Sequence, residues 1–143
     1  MVELSLIILT CNRSSLLNNC LASLAMQQWP ADNFEIIICD DGSTDDTKEI
    51  VEHFLKSCNI KVTYLRQEHK GVSSTRNLGI SHAQGRYLSF IADDYVIPRD
   101  YIKKVFSFFQ EYPGASIVTF NIKNYGNGIS NKAENFYYSL TLL

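Results

Sequence analysis

The sequence predicts an α/β domain in which a mostly parallel sheet is flanked by helices on both faces. Short apolar runs of strand length alternate along the chain with longer segments whose apolar residues recur at helical spacing. This alternation is typical of parallel sheets, because each crossover connection lays a helix on one face of the sheet. The chain has 143 residues, 45% hydrophobic and 20% charged, so we expect one folded domain and exclude disorder.

The first half of the chain predicts strand, helix, strand and helix in that order. Residues 2–9 and 34–39 are almost entirely apolar, as expected for strands covered on both faces. Between them, Ser14 is the expected N-cap of a helix. Asp45 and Asp46 favour the first turn of a second helix, because negative charges there interact favourably with the positive end of the helix dipole. The predicted core-facing residues of that helix are Ile50, Val51, Phe54 and Leu55.

The second half continues the alternation up to a fifth strand. Residues 60–66, 72–82 and 87–91 predict a strand, a helix and a strand. Pro98 is suited to begin a fourth helix, and residues 115–120 then predict a fifth strand. Residues 124–131 are rich in Asn and Gly and predict a loop, and residues 132–143 predict a terminal helix. The fourth helix has an apolar stripe of Ile102, Val105, Phe106 and Phe109.

Charge and composition exclude several classes of function. Thirteen Lys and Arg against fifteen Asp and Glu give a net charge of −2, so no basic excess is available to bind nucleic acid. No apolar run approaches the about 20 residues of a transmembrane helix, and the N-terminus lacks a signal peptide's basic region and cleavage site. The four cysteines form no CxxC pair and are expected to be reduced, with zinc or disulfides as the alternative. We therefore expect a cytoplasmic protein; peripheral association with the inner face of the membrane stays open.

Acidic residues follow two strands that are expected to be neighbours. Residues 40–44 come directly after the second strand, and Asp93 and Asp94 follow the fourth. The carboxyl ends of parallel strands meet at one edge of a sheet, where such proteins bind ligands. Clustered carboxylates need a compensating cation or donor, and a Mg²⁺ or Mn²⁺ ion that bridges to a phosphate fits this need. Helix capping is the alternative explanation for residues 40–46.

Positive charge for a phosphate comes from the segment between the third and fourth strands. Gly71 and the small residues after it permit close backbone approach, and the planar guanidinium of Arg76 suits a phosphate. A solvated helix arginine is the alternative. Arg13 and Lys70 are weaker candidates. The three histidines, His53, His69 and His82, show no metal-ligand spacing and are interpreted as surface residues.

Taken in order, these motifs resemble the family 2 glycosyltransferases, which are nucleotide-sugar-dependent enzymes of the GT-A fold. Residues 7–13 (IILTCNR) resemble the family's opening strand and its loop, and residues 34–47 (FEIIICDDGSTDDT) resemble its second-strand signature. Residues 71–87 resemble its middle segment, and residues 90–94 (FIADD) lie where the family has an Asp-x-Asp motif. The resemblance covers about residues 2–120, and its specificity comes from the ordered set.

The resemblance implies a nucleotide site made of several of these residues. Asp41 would accept a hydrogen bond from the N3–H of a uracil-type base. Thr10 and Cys11 would line the base pocket, although Cys11 stands where the family usually has an aromatic residue. Arg76 would approach the diphosphate, and Arg13 is counted with the nucleotide site. The implied donor is a nucleotide-diphospho-sugar, expected to be a UDP-sugar, with thymidine and guanosine left open.

The resemblance also implies a metal-assisted reaction. Asp94 would ligate Mg²⁺ or Mn²⁺, and Asp93 would lie near the ribose or the metal. Ala92 replaces the first Asp of the Asp-x-Asp motif, and an Asp pair after a small residue also occurs in the family. The expected chemistry is a single inverting displacement, in which the sugar passes to a hydroxyl of a saccharide or lipid-linked acceptor.

The resemblance predicts a single GT-A-like domain over residues 1–143 that is truncated at its C-terminus. It consists of a nucleotide-binding half at about residues 2–120, followed by a loop and terminal helix at about 121–143. The family's catalytic base belongs to a later acceptor-binding part, and Glu134 is not assigned to that role. The catalytic residues are therefore left unassigned. A non-catalytic fragment that binds a nucleotide-sugar is the alternative function.

Other phosphate-handling enzymes fit the sequence less well. A haloacid-dehalogenase-type phosphatase needs a nucleophilic Asp two residues before Asp41, where Cys39 stands. A Rossmann oxidoreductase needs a Gly-rich turn after the first strand, and a sugar nucleotidyltransferase needs a Gly-rich, basic loop there. Residues 10–13 (TCNR) are neither.

Overall fold

The computed structural model describes residues 2–119, 124–125 and 130–132. The main sheet is parallel, as the alternation predicted, and has four strands in the order β3-β2-β1-β4. The strands are β1 (Leu4–Thr10), β2 (Phe34–Asp40), β3 (Lys61–Arg66) and β4 (Tyr87–Ala92). The helices are α1 (Ser14–Ala25), α2 (Thr47–Ser57), α3 (Val72–His82) and α4 (Tyr101–Glu111), with a short 3-10 turn at Ala31–Asn33.

The register aligns the carboxyl ends of the strands. Thr10 at the end of β1 lies opposite Asp40 at the end of β2, and Asp40 in turn lies opposite Arg66 of β3. On the other side of β1, Leu9 lies opposite Ala92, the last residue of β4. Strand β1 lies between β2 and β4, so the expectation that these two strands are neighbours was wrong. The segments that follow β1, β2 and β4 nevertheless leave the sheet at one edge, where the acidic residues were expected to meet.

Helices cover both faces of the sheet, as predicted. The larger core joins the even-numbered side chains of β1 to α1, α2 and α4 on one face. On the opposite face α3 lies so close that a Cβ on Gly79 would be 2.5 Å from Ile7 Cγ2 and 2.9 Å from Cys39 Sγ. The fully buried members of the larger core include Leu4, Leu6, Ile8, Leu17, Leu24, Ile36, Ile38, Val51 and Ile102.

Gly85 lies against the backbone of β1, and its substitution should destabilise the fold. A Cβ there would be 2.5 Å from the Ser5 backbone nitrogen and 2.7 Å from the Leu4 carbonyl carbon. Since backbone cannot yield as a side chain does, we expect Gly85→Ala to lower the free energy of unfolding by about 1–3 kcal/mol, measured in urea. Gly114→Ala is the matched control, because a Cβ there meets nothing within 4 Å. Equal stability of the two variants would contradict this packing.

Helices α1 and α2 begin differently from the prediction, because one carboxylate accepts hydrogen bonds from the N-termini of both helices. Ser14 is the first residue of α1, and its N–H donates to Asp45 Oδ2 at 2.9 Å. Asp45 Oδ1 accepts from the Thr47 N–H at 3.1 Å and from its hydroxyl at 2.6 Å, at the start of α2. Asp45 thus joins the N-termini of α1 and α2, so the expectation that Ser14 would be the N-cap was wrong.

Two predicted helix faces need smaller corrections. Leu55 is 41% exposed, whereas Val51 and Phe54 are buried as predicted. In α4, Phe108 is buried although the predicted stripe omitted it. Helix α4 begins at Tyr101, whose N–H donates to the Pro98 carbonyl at 3.0 Å, so Pro98 precedes the helix by one turn.

The end of the described chain departs most from the prediction. Residues 115–118 have no regular secondary structure and Thr119 is an isolated bridge residue, so the predicted fifth strand is wrong as far as it is described. Ile117 is 64% exposed, which means that its apolar side chain has no covering surface among the described residues. Residue 120 lies outside them.

A second, small sheet contains the described residues of the predicted loop, 124–125 and 130–131. It has the order β5-β7-β6, with β5 (Tyr95–Val96) parallel to β7 (Ser130–Lys132) and β6 (Asn124–Tyr125) antiparallel to β7. Strands of two or three residues are too short to leave a period-two pattern in the sequence. Lys132, the first residue of the predicted terminal helix, belongs to β7, and residues 133–143 lie outside the described residues.

Two further observations concern the state of the cysteines and the length of the helices. All four cysteines are free thiols, with Cys20 and Cys39 buried. Within the part of the chain that the structure describes, no helix combines the length and the apolar character needed to cross a membrane.

Candidate functional site

The loops after β1 and β2 are joined by direct hydrogen bonds at the carboxyl edge of the sheet. The Asn12 N–H donates to Ser43 Oγ at 2.9 Å, and the Thr44 N–H donates to Asn12 Oδ1 at 2.7 Å. Asn12 has a φ of 53°, a left-handed conformation that Asn tolerates better than most residues. The two loops therefore form one rigid rim, and sequence reasoning gave Asn12 no role in it.

Asp40 is a structural residue beneath this rim. It is 1% exposed and accepts from the Ser43 N–H at 2.8 Å and the Tyr64 hydroxyl at 2.5 Å. Arg66 Nε lies 3.5 Å from Asp40 Oδ2. Burial and the hydrogen bond to Asp40 raise the pKa of Tyr64, so its hydroxyl stays a donor. Asp40 therefore fixes the loop that presents the next carboxylate.

Asp41 is the most completely hydrogen-bonded carboxylate of the rim. Its Oδ1 accepts from Gln67 Nε2 at 2.8 Å and from the Lys70 N–H at 2.9 Å. Its Oδ2 accepts from the Gly71 N–H at 2.9 Å and lies 2.9 Å from His69 Nδ1. All four of these donors come from the loop after β3, so that loop is folded around the Asp41 side chain.

Hydrogen bonding keeps Asp41 ionised despite its burial. Burial alone would raise the pKa of Asp41, but the Lys70 N–H and the Gln67 side chain, with further donors, lower that pKa well below its usual range. The neighbouring Gly42 has a φ of 82°, and a Cβ there would lie 2.9 Å from the His69 backbone nitrogen. Asp41 is therefore a fixed anionic acceptor, and Gly42 allows the loop to reach it.

Asp93 and Asp94 share one counter-ion, Arg13. Arg13 Nη1 lies 2.8 Å from Asp93 Oδ1, and Arg13 Nη2 lies 2.9 Å from Asp94 Oδ2. The Asp93 side chain is only 3% exposed, and burial raises the pKa of Asp93. Hydrogen bonding to Asp94 raises the pKa of Arg13, so the guanidinium stays charged. Arg13, one of the two weaker basic candidates in the sequence, thus compensates part of the charge of the acidic pair.

One buried oxygen at this edge, Asp94 Oδ1, has no hydrogen-bond partner among the described residues, whereas the buried Thr10 hydroxyl hydrogen-bonds Asp93. Such orphaned groups are uncommon in folded proteins and point to a ligand or ion that would satisfy them. A carboxylate oxygen is a ligand that Mg²⁺ and Mn²⁺ prefer. The described residues contain no group of three or more metal-ligating side chains. The site therefore fits an ion that takes most of its ligands from a diphosphate and water.

Arg76 does not join the other candidates in a direct contact. It is exposed on α3, and its guanidinium carbon lies 5.5 Å from the ring centroid of Phe90 in β4. Lys70, the other basic candidate, contributes its backbone N–H to Asp41 rather than its charge. The assignment of Arg76 to the diphosphate stays a prediction.

The base-pocket candidate Cys11 lies beside Asp41. The Cys11 thiol donates to the Asp41 carbonyl at 3.4 Å, and its sulfur lies 3.9 Å from His69 Nδ1. Burial, with Asp41 adding to it, raises the pKa of Cys11, so the thiol is not activated as a nucleophile. The structure thus brings Cys11 and Asp41 together, while Arg13, Asp93 and Asp94 form the neighbouring acidic group.

Sequence reasoning counted Lys70 and Gly71 of the loop after β3 as candidates but missed the two side chains of that loop that contact Asp41. Gln67 and His69 follow β3 directly, and both contact the Asp41 carboxylate. The rule that the carboxyl ends of parallel strands meet at one edge applies to β3 as well, and it could have identified this loop. His69 was interpreted as a surface residue; it is exposed, yet it belongs to the rim.

Comparison with known proteins identifies the family. The model of "Glycosyl transferase family 2" matches residues 5–142, so the chain belongs to this family. The chain is 33% identical over 112 residues to poly(ribitol-phosphate) beta-N-acetylglucosaminyltransferase TarS of Staphylococcus aureus. The aligned region covers 78% of this chain and 20% of TarS. The chain thus spans about a fifth of the length of that relative.

Solved structures agree with this assignment. S. aureus TarS 1-349 in complex with UDP-GlcNAc matches with a TM-score of 0.70 and 32% identity, over 78% of this chain and 32% of that one. Mannosyltransferase PcManGT of Pyrobaculum calidifontis, in complex with GDP-Man and Mn²⁺, matches with a TM-score of 0.72 over 75% of this chain and 32% of that one. At 24% identity the second likeness concerns the fold alone. The fold is that of GT-A glycosyltransferases.

Proposed function

We propose that the chain is the donor-binding part of a glycosyltransferase that transfers a sugar from a nucleotide-diphosphate sugar, expected to be a UDP-sugar, to an acceptor hydroxyl with inversion. One observation carries the proposal: the buried, ionised Asp41 lies on the same sheet edge as the acidic pair Asp93 and Asp94. A nucleotide-diphosphate ligand needs both an acceptor for its base and anionic ligands for the cation that accompanies its phosphates.

In this proposal the rim beside Asp41 binds the nucleobase. Asp41 accepts from the N3–H of a uracil-type base, and its ionised state at neutral pH suits that role. Thr10 and Cys11 line the pocket, and the buried Thr10 hydroxyl supplies a further polar group. The structure of the relative TarS in complex with UDP-GlcNAc supports uridine over other bases.

The acidic pair would hold the divalent cation. Asp94 is the proposed ligand of Mg²⁺ or Mn²⁺, and Asp93 lies near the same ion or the ribose. When bound, the ion supplies Lewis-acid neutralisation of the charge that develops on the departing nucleoside diphosphate. Arg13, at the same edge, and Arg76 from α3 are the guanidinium groups that would bind the phosphate oxygens.

The binding site for the acceptor and the catalytic base are proposed to lie outside the residues described above. The acceptor is a saccharide or a lipid-linked saccharide, and the protein acts in the cytoplasm or at the inner face of the membrane. No residue of this chain is assigned as the base. The alternative function is a fragment that binds a nucleotide-sugar without transferring it.

Calorimetry with UDP tests the proposal. We expect these 143 residues to bind UDP in the presence of Mn²⁺, more weakly after chelation of the metal, and more tightly than they bind GDP. Absence of any UDP binding by the folded chain would refute the proposal. Incubation with a UDP-sugar then locates the catalytic residues: release of the sugar would show that they lie in this chain, whereas binding without release would agree with a catalytic base outside these residues.

A further inference from the structure

The imidazole of His69 lies directly beside the proposed base pocket. Its Nδ1 is 2.9 Å from Asp41 Oδ2 and 3.2 Å from the Asp41 carbonyl oxygen. The same nitrogen lies 3.9 Å from Cys11 Sγ. Even so, the His69 side chain is 73% exposed, so most of the ring is free of protein contact.

The two Asp41 oxygens determine the state of this nitrogen. Both are acceptors, so Nδ1 carries a proton and donates to them. The Asp41 carboxylate already accepts from the Gln67 amide and from the N–H groups of Lys70 and Gly71, which fills its remaining acceptor positions. A base N3–H can reach Asp41 only if one of these donors moves.

Of these donors, His69 is the one that is not held in place by the backbone or by a second side chain. The N–H groups of Lys70 and Gly71 are fixed in the backbone, and buried Thr75 holds the Gln67 amide through a second hydrogen bond of 3.0 Å. The His69 ring has the Asp41 carbonyl as a second acceptor, so a small rotation releases Oδ2 and keeps one hydrogen bond. After that rotation the ring remains beside Asp41 and Cys11.

We propose that His69 forms one wall of the base pocket and stacks its imidazole on the nucleobase that Asp41 holds. The inference rests on the proposed function and adds a residue that determines how the base is bound. The thiol of Cys11 offers no ring face, whereas stacking on an aromatic side chain strengthens binding of any base. His69 supplies the exposed ring at this point of the rim.

Calorimetry of UDP in the presence of Mn²⁺ tests the proposal with three variants. We expect His69→Ala to weaken UDP binding about tenfold. His69→Phe keeps an aromatic face without the hydrogen bond and should bind UDP within about threefold of the parent chain. His69→Gln keeps a donor without a ring and should bind as weakly as His69→Ala. His53→Ala, at an exposed position of α2, is the control and should bind like the parent.

Inorganic pyrophosphate with Mn²⁺ serves as a probe without a base, and His69→Ala should bind it as the parent does. If the parent fails to bind UDP, the proposed function itself fails, and this inference fails with it. If the parent binds UDP and His69→Ala binds it equally well or more tightly, only the stacking inference is overturned. Equal weakening by His69→Phe and His69→Ala would also overturn it, because the ring face would then have no effect.

Discussion

Asp94→Asn is expected to remove the metal-dependent part of UDP binding. The substitution keeps the size of the side chain but replaces the anionic ligand of a divalent cation by a neutral amide, which hard cations bind poorly. We expect UDP affinity at saturating Mn²⁺ to fall at least about tenfold, to the value that the parent chain shows without metal. Calorimetry with and without Mn²⁺ measures this difference.

The fold should survive this change, since Arg13 keeps its contact of 2.8 Å with Asp93. Asp100→Asn is the matched control: Asp100 precedes α4, is 42% exposed and pairs with Lys104 at 2.9 Å, away from the rim. It should leave UDP and Mn²⁺ binding unchanged. If Asp94→Asn and Asp94→Ala bind UDP and Mn²⁺ as tightly as the parent, Asp94 is not the metal ligand.

The fold could be predicted wherever the pattern of one segment decides its structure. The buried runs of β1 and β2 leave no polar face, and the stripe of α4 recurs at helical spacing, so their types follow from local sequence. The segment over 115–120 has the same apolar character but forms no strand as far as it is described. A strand needs a sheet edge to pair with, and this partner is not a property of the segment.

The site shows the same division between local and non-local causes. The edge that holds Asp41, Asp93 and Asp94 follows from the parallel orientation of the strands, because parallel strands share a carboxyl edge. The contacts that define each carboxylate's state do not: Asp45 bonds to Ser14 across 31 positions and His69 lies 28 positions from Asp41. Such hydrogen-bonded pairs depend on how two loops pack together in the fold, and the residue spacing within one segment does not predict that.

Asp41→Asn should destabilise the fold most strongly among the rim substitutions. An asparagine side chain has only one oxygen acceptor. Its NH₂ group would face N–H donors that hydrogen-bond a carboxylate oxygen of Asp41 in the parent chain. Each buried donor left unsatisfied costs about 1–3 kcal/mol. Urea unfolding at pH 7 should therefore show a loss of this size, and Asp32→Asn, in the 3-10 turn, serves as the control.

The same substitution should change how stability depends on pH. The pKa of Asp41 is lowered in the folded state, so its stabilising effect is fully present above the unfolded value of about 3.9 and is lost as the pH falls toward the folded value. The stability difference between the parent and Asp41→Asn should thus be constant near neutral pH and shrink on acidification below about pH 4. A difference that stays constant down to pH 2 would contradict the assigned hydrogen bonds.

Ligand specificity separates the role of Asp41 in base binding from its role in the fold. Under conditions where Asp41→Asn remains folded, we expect it to lose UDP affinity while it keeps the affinity of the parent for pyrophosphate with Mn²⁺. The reason is that the Asp93 and Asp94 carboxylates and Arg13, which face the phosphates in this proposal, make no hydrogen bond to Asp41 among the described contacts. Equal loss for UDP and pyrophosphate would mean that Asp41 acts through the fold of the rim rather than through the base.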